Sequence, residues 1–201
     1  MKKLSIILFV LSLFVLQGCD SLGMRDKYDL AIVENVENLK KELDNNIKSD
    51  DQVNSINFMI NNSQSFSNSP SVINAQLAIP NREKVVNNVI LIFEPELTVK
   101  KEEDEYAGKI ITLPYKDFII TKIPSYIAEA ATMIPEEYEY GGLGDYYLRA
   151  KDEGYVEHKF KLQVTSKSGA TQLNGRRIET TYYEIEFSTD KDGKLTMLLE
   201  E

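Results

Sequence analysis

A run of strictly alternating apolar and polar residues near the C-terminus sets the strongest limit on the fold of this chain. Four apolar residues and the single histidine alternate here with polar residues, and this inward set is Val156, His158, Phe160, Leu162 and Val164. Side chains on a β-strand point alternately to opposite faces of the sheet, so this pattern predicts a strand with one buried face and one solvated face.

Two further strands are predicted after it, at Ile178–Ser188 and Leu195–Leu199, with a turn at Asp190–Gly193 between them. Three consecutive strands on short connections form an antiparallel meander that keeps one wet face. A helix that precedes the meander can cover its dry face. The predicted fold class is therefore α+β, with N-terminal helices followed by a helix-covered antiparallel sheet that ends in a three-stranded meander.

The segment from Met24 to Ile47 has the spacing of an amphipathic helix. Its apolar residues recur at steps of three or four: Tyr28, Ile32, Val36, Leu39, Leu43 and Ile47. This stripe either packs on its own domain or forms a coiled-coil seam with a partner, and its short length favours the first. Ser49 and Gln52 fit a capping box, which predicts a second short helix that ends near Ile60.

A polar tract at 61–71 is the best candidate for a boundary, because it is rich in Asn and Ser and contains a proline. It divides a helical N-terminal segment, 24–60, from an α+β domain, 72–201. Val72–Ile79 is predicted to be a strand. Residues 84–93 fit either a helical face or a buried strand, and a helix that starts at Arg82 is favoured.

Leu97–Val99 and Lys109–Leu113 are predicted to pair as a hairpin, with Glu102–Glu105 at its tip. Adjacent acids on a loop indicate a solvated surface rather than a cation site, because the ligands of one ion must converge. Helices are predicted from Ser125 to Met133 and from Tyr146 to Glu153, the second one capped by Asp145.

The connection between these two helices, Glu136–Tyr147, combines four tyrosines with three glycines and four acids. Tyrosine and glycine together are typical of binding loops, because rigid amphipathic rings are carried on an adaptable backbone. The tyrosines equally fit a connection packed on its own domain, with buried rings and wet hydroxyls. The candidate partner contacts are Tyr138, Tyr140, Tyr146 and Tyr147.

No catalytic, cofactor-binding or metal-binding residue is predicted. His158, the single histidine, lies on the inward face of its strand and fits a packed, hydrogen-bonded core residue. Asp190 and Asp192 resemble the start of a calcium loop, but Leu199 stands where the closing acid is required. The sequence therefore favours a non-catalytic protein.

The N-terminus combines a short positive start with a 13-residue apolar run, Leu4–Leu16, which is shorter than the ~20 residues that span a bilayer. The run ends at Leu16-Gln17-Gly18-Cys19, which resembles the lipobox of bacterial lipoproteins. The resemblance implies a signal peptide at 1–18, cleavage before Cys19, a diacylglycerol and a further acyl chain such as palmitate on Cys19, and a short tether at 19–23.

The net charge is −9, and it becomes −11 once the two lysines of the first 18 residues are removed. Such an acidic body is repelled by phosphate, which argues against a nucleic-acid partner. Cys19 is the single cysteine, so an acylated chain holds no free thiol or disulfide. Its core must be held by apolar packing, for which 42% hydrophobic residues suffice.

Together these features predict a lipoprotein of the bacterial cell envelope, anchored by Cys19 in the cell membrane or outer membrane and facing the periplasm or the cell surface. Its expected partners are the lipid bilayer and an envelope protein, and its expected role is binding or assembly. The alternative is a small-ligand-binding domain or a hydrolase with dispersed carboxylates.

Overall fold

The computed structural model describes residues 26–60, 66–80, 82, 85–93, 96–105, 110–168, 171–174, 177–180 and 182–198. The predicted signal peptide at 1–18, the predicted acylation site Cys19 and the predicted tether at 19–23 lie outside them. The fold is α+β and mostly sheet. Its elements are α1 (Val33–Asp44), β1 (Gln52–Ile60), β2 (Pro70–Ala78), β3 (Val85–Phe93), β4 (Leu97–Glu105), β5 (Leu113–Pro114), α2 (Ile123–Thr132), β6 (Tyr138–Ala150), β7 (Val156–Ser166), β8 (Thr171–Asn174), β9 (Arg177–Thr180), β10 (Tyr182–Thr189) and β11 (Leu195–Leu198).

The predicted N-terminal helix is confirmed over α1, and the stripe residues inside α1 face the chain's own core, whereas Ile32 just before it is exposed. Val36, Leu39 and Leu43 are fully buried in one cluster with residues of the sheet and of α2. The stripe is therefore used for packing within the chain, and it is not the seam of a coiled coil.

The second helix, predicted after Ser49, is wrong, because Gln52–Ile60 is strand β1. The carboxylate of Asp51 accepts a hydrogen bond from the backbone N–H of Lys48 at 2.8 Å, so it closes a turn before the strand. A register shift between Val53 and Ser55 turns Val53 and Ile56 to the same face. This β-bulge gives a strand the three-residue spacing that had indicated a helix.

The helix favoured at 84–93 is also wrong, because Val85–Phe93 is strand β3. Both of its faces are buried: Val89 and Leu91 on the core side, and Val86 and Asn88 on the other. A strand that is covered on both faces shows no alternation of polar and apolar residues, so its period could not be read from the sequence.

The predicted hairpin between Leu97–Val99 and Lys109–Leu113 does not form. Leu97–Glu105 is one exposed outer strand, β4, which pairs along its whole length with β3. Leu113 and Pro114 form β5, which pairs with β1 instead. The acids Glu102–Glu105 therefore belong to a strand and not to a loop tip.

All pairings in the main nine-stranded sheet are antiparallel. The strand order is β4-β3-β2-β1-β6-β7-β10-β11, with β5 added beside β1. Residues 52–60 and 70–78, on the two sides of the polar tract, are thus neighbouring strands. They share one hydrophobic core with α1 and α2.

The C-terminal meander is confirmed as β7, β10 and β11, which lie side by side in that order. The turn at Asp190–Gly193 is confirmed as well. The Asp190 carboxylate accepts from the backbone N–H groups of Asp192 and Lys194, and Gly193 has a φ of 76° that favours glycine. The predicted strand at Ile178–Ser188 is divided, because 177–180 form a separate hairpin with β8.

Helix α2 covers the core side of the sheet, and it begins at Ile123 rather than Ser125. Its inward side chains, Ile123, Tyr126, Ile127 and Ala130, are buried. No helix among the described residues has the length and apolar character needed to cross a bilayer.

Candidate binding cleft

A cleft of about 460 Å³ lies on the face of the sheet opposite α1 and α2. Five strands contribute to it, β1, β2, β6, β7 and β10, and nearly all of its lining side chains are polar. Small-molecule sites typically have volumes of about 300–1,000 Å³, so the cleft is large enough for a ligand.

The registers of the strands arrange the floor of the cleft in two rows. In the first row Asn74 lies opposite Asn57, Asn57 opposite Tyr147, and Tyr147 opposite Lys159. The second row runs parallel to it and consists of Gln76, Ser55, Arg149 and Glu157. Directly opposed residues have Cβ atoms about 4.5–5.5 Å apart, so each row is a continuous polar strip.

The amide side of the cleft has unused hydrogen-bonding capacity. The side-chain oxygens of Asn57 and Asn74 are buried and have no hydrogen-bond partner among the described residues. The same is true of Asn88, which lies opposite Gln76 in the next strand and is itself 5% exposed. An unsatisfied buried polar atom costs about 1–3 kcal/mol, so three neighbouring ones require an explanation.

The charged side of the cleft is balanced. Three acids and three bases line it: Asp145, Glu157, Glu186, Arg149, Lys159 and Lys161. Lys159 Nζ lies 2.7 Å from Glu186 Oε1, and Lys161 Nζ lies 2.8 Å from Glu184 Oε2. Glu157 accepts from Lys151 Nζ and from Ser188 Oγ. The cleft is therefore close to neutral, although the chain as a whole is acidic.

A β-bulge in β6 positions Asp145 in the cleft. Leu143 lies opposite Leu162 and Tyr146 opposite Phe160, so two residues of β6, Gly144 and Asp145, face one residue of β7. Burial raises the pKa of the Asp145 carboxyl, and Glu184 raises it further, whereas Lys161 lowers it.

The tyrosine-rich segment is not a loop between helices. Residues 138–150 form β6 near the middle of the sheet, and the helix predicted at Tyr146–Glu153 is wrong. The predicted helix rested on Asp145 as a cap and Gly154 as a stop, whereas the inward residues Leu143, Tyr146 and Leu148 follow at steps of three and two across the bulge. A turn at Lys151–Gly154 follows the strand, and Gly154 there has a φ of 80°.

The four tyrosines of this segment lie in different environments. Tyr146 is fully buried and stacks on Phe160 with a centroid distance of 4.8 Å. Tyr138 and Tyr140 are half-buried, Tyr138 against Tyr183 and Tyr140 with its hydroxyl bonded to Asn68. Tyr147 is 39% exposed and lies in the cleft. Of the four candidate contacts, only Tyr147 lines the cleft.

His158 lies on the core side of the sheet, as its position in the alternation had predicted. Its Nδ1 is 2.8 Å from the hydroxyl of Tyr146, and its backbone N–H donates to Thr189 Oγ1. Burial lowers the pKa of the imidazole to about 3, with a further contribution from Lys122. The ring is therefore neutral at physiological pH. A second cavity of about 350 Å³ adjoins it, between the turn at Asp190–Gly193 and Tyr126.

Sequence reasoning missed the amide half of the cleft. Asn57 and Arg149 lie in segments that had been interpreted as helices, so neither their pairing with each other's strands nor the pairing of Asn57 with Asn74 was predicted. The alternation in β7 had correctly assigned Glu157, Lys159 and Lys161 to the wet face. Among the described residues, no group of three or more His, Cys, Asp or Glu side chains is placed to hold a metal ion.

Comparison of the whole chain with protein-family models, with curated proteins and with solved structures finds no match.

Proposed function

We propose that this protein is a lipid-anchored, non-catalytic binding component of the bacterial cell envelope, and that the cleft is its binding site. The polar cleft with its unsatisfied amides is the observation that carries the binding role. The N-terminal segment supports the anchor, since Leu16–Cys19 resembles a lipobox. An acylated Cys19 needs no membrane-binding surface on the domain, because two or more acyl chains hold a protein stably on a bilayer.

Cys19→Ser is expected to abolish lipidation and to leave the chain as an unprocessed precursor. The serine hydroxyl cannot form the thioether on which acylation and cleavage before residue 19 depend. Metabolic labelling with a palmitate analogue measures lipidation, gel mobility measures cleavage, and membrane fractionation measures anchoring. A variant that is still cleaved and still anchored like the wild type contradicts the lipoprotein assignment.

A photo-crosslinking amino acid in place of Tyr147 is expected to capture an envelope component in intact cells. Tyr147 lies in the first row of the cleft, and its side chain is partly open to solvent. The matched control is the same amino acid in place of Glu129, an exposed residue of α2 on the opposite side of the sheet.

An adduct that forms from position 147 and not from position 129 supports the cleft as the binding site. No adduct from position 147, or equal adducts from both positions, contradicts it. Both variants replace side chains that are partly or fully exposed, so neither is expected to disturb folding. Comparable expression levels and melting temperatures confirm this.

A further inference from the structure

We infer that the ligand of the cleft is a neutral, hydroxyl-rich molecule, a saccharide. This inference rests on the proposed function, because it names the chemical class of ligand for the same site. It depends on three features of the cleft. Its acidic and basic side chains are equal in number, two of its amide oxygens lack hydrogen-bond partners, and the accessible ring of Tyr147 lies between the amides and the charged residues.

The balance of charge disfavours a strongly charged ligand. The three acids and three bases of the lining offset one another, and Lys159 is already paired with Glu186 at 2.7 Å. An anionic or a cationic ligand would have to compete with such pairs and would leave one member without its partner. Burying an unpaired charge costs far more than burying a neutral hydroxyl.

The amide side chains can donate hydrogen bonds to a neutral ligand and can accept hydrogen bonds from it. A hydroxyl group donates one hydrogen bond and accepts others, whereas an amide side chain offers both an acceptor and two donors. The oxygens of Asn57 and Asn74 lie in directly opposed residues and lack partners. Adjacent hydroxyls of a sugar ring can satisfy two such neighbours together.

Tyr147 and Arg149 supply a planar surface beside these amides. Tyr147 follows Asn57 in the first row, and Arg149 follows Ser55 in the second. An exposed tyrosine ring packs against the apolar C–H face of a sugar while its hydroxyl stays wet. The guanidinium adds donors in a fixed planar geometry, which suits neighbouring oxygens.

An apolar ligand is disfavoured by the same residues. It would cover the charged pairs and would leave the amide oxygens without a hydrogen bond. Each polar group left in that state destabilises the complex. A polyhydroxylated ligand avoids this cost, because its hydroxyls can hydrogen-bond to the polar groups that it covers.

The test uses NMR to measure saturation transfer from the full lipidated chain to a sugar. Cellotriose, maltotriose and tri-N-acetylchitotriose are the separate neutral probes. Trigalacturonate serves as the anionic control and the chitosan trimer as the cationic control. The detergent must lack a sugar headgroup, because such a headgroup would compete for the cleft. We expect saturation transfer to at least one neutral probe and weaker transfer to both charged controls.

Three substitutions assign the signal to the cleft. Asn57→Ala, Asn74→Ala and Tyr147→Ala are each expected to weaken binding of that probe by roughly tenfold, which corresponds to the loss of about one hydrogen bond or ring contact. Tyr182→Ala is the matched control, because Tyr182 is 52% exposed and does not line the cleft. The two asparagine variants are expected to melt no lower than the wild type, since their side-chain oxygens have no partner to lose.

Three results overturn the inference: no transfer to any neutral probe, stronger transfer to a charged control, or unchanged binding in all three cleft variants. These failures are distinct from failure of the proposed function. A protein captured by the crosslinker at position 147, with no neutral sugar bound, would leave the binding role in place and exclude the saccharide. Absence of any adduct at position 147 would contradict the binding role itself.

Discussion

Phe160→Ala is expected to lower the free energy of unfolding by about 3–5 kcal/mol, the typical cost of removing a large aromatic side chain from a core. Phe160 lies directly between Tyr146 and Phe187 on neighbouring strands. Its ring is nearly parallel to both, at centroid distances of 4.8 Å and 5.5 Å. The stack joins β6, β7 and β10, so the cavity left by alanine lies in the core beneath these three strands.

The matched control is Lys159→Ala, one residue earlier on the same strand and on the opposite face. Its side chain is 46% exposed, so the substitution is expected to change stability by only about 0.5–1 kcal/mol. Urea unfolding of both variants, followed by circular dichroism, measures the difference. Similar losses in the two variants would mean that the two faces of β7 are not buried as described.

Lowering the pH from 8 to 5 is expected to destabilise the protein through His158. The pKa of His158 is about 3 in the folded chain and near 6.5 in the unfolded chain, so at pH 5 only the unfolded state binds the proton. The stability that the neutral ring contributes is complete above pH 6.5 and is lost progressively as the pH falls towards 3. At pH 5 the loss is about 2 kcal/mol, or ~4–8 °C in Tm.

His158→Gln isolates this contribution, because His158 is the single histidine of the chain. The variant is expected to be less stable at pH 8 and to lose less stability than the wild type between pH 8 and pH 5. Asp145, whose pKa is raised in the folded state, acts in the opposite direction but is present in both proteins. Thermal melts over this range measure the difference in slope. Parallel curves would show that the imidazole is not held neutral.

The sequence predicted the elements whose patterns were regular. α1 has one unbroken helical stripe, and β7 alternates without a bulge and has one wet face, so both were identified. β1 was misread because a bulge changes the spacing of its inward residues from two to three, and β6 because Asp145 and Gly154 resembled the two ends of a helix. β3 was misread because it is buried on both faces, and β4 because it is exposed on both.

The candidate site could be predicted only in part for the same reasons. The charged side of the cleft lies on the regular strand β7, and its outward residues followed from the alternation. The amide side combines two strands that meet only through the pairing of Asn57 with Asn74 and with Tyr147. The sequence gives no direct signal for such registers, since they depend on which distant strands pair.

The pairing of β1 with β6 also sets the order in which this sheet can assemble. β1 to β4 are joined in sequence by short connections, as are β6 and β7, whereas the seam pairs Ser55 with Arg149 across a long stretch of chain. Closing so long a loop costs entropy before its contacts form, so this step is expected to limit the rate of folding. Substitutions at the seam should then slow refolding, whereas those between β3 and β4 should mainly accelerate unfolding, and stopped-flow measurements separate the two. Until the seam closes, β1 and β6 each present an open backbone edge, so the folding chain passes through a state that is prone to pair with other strands.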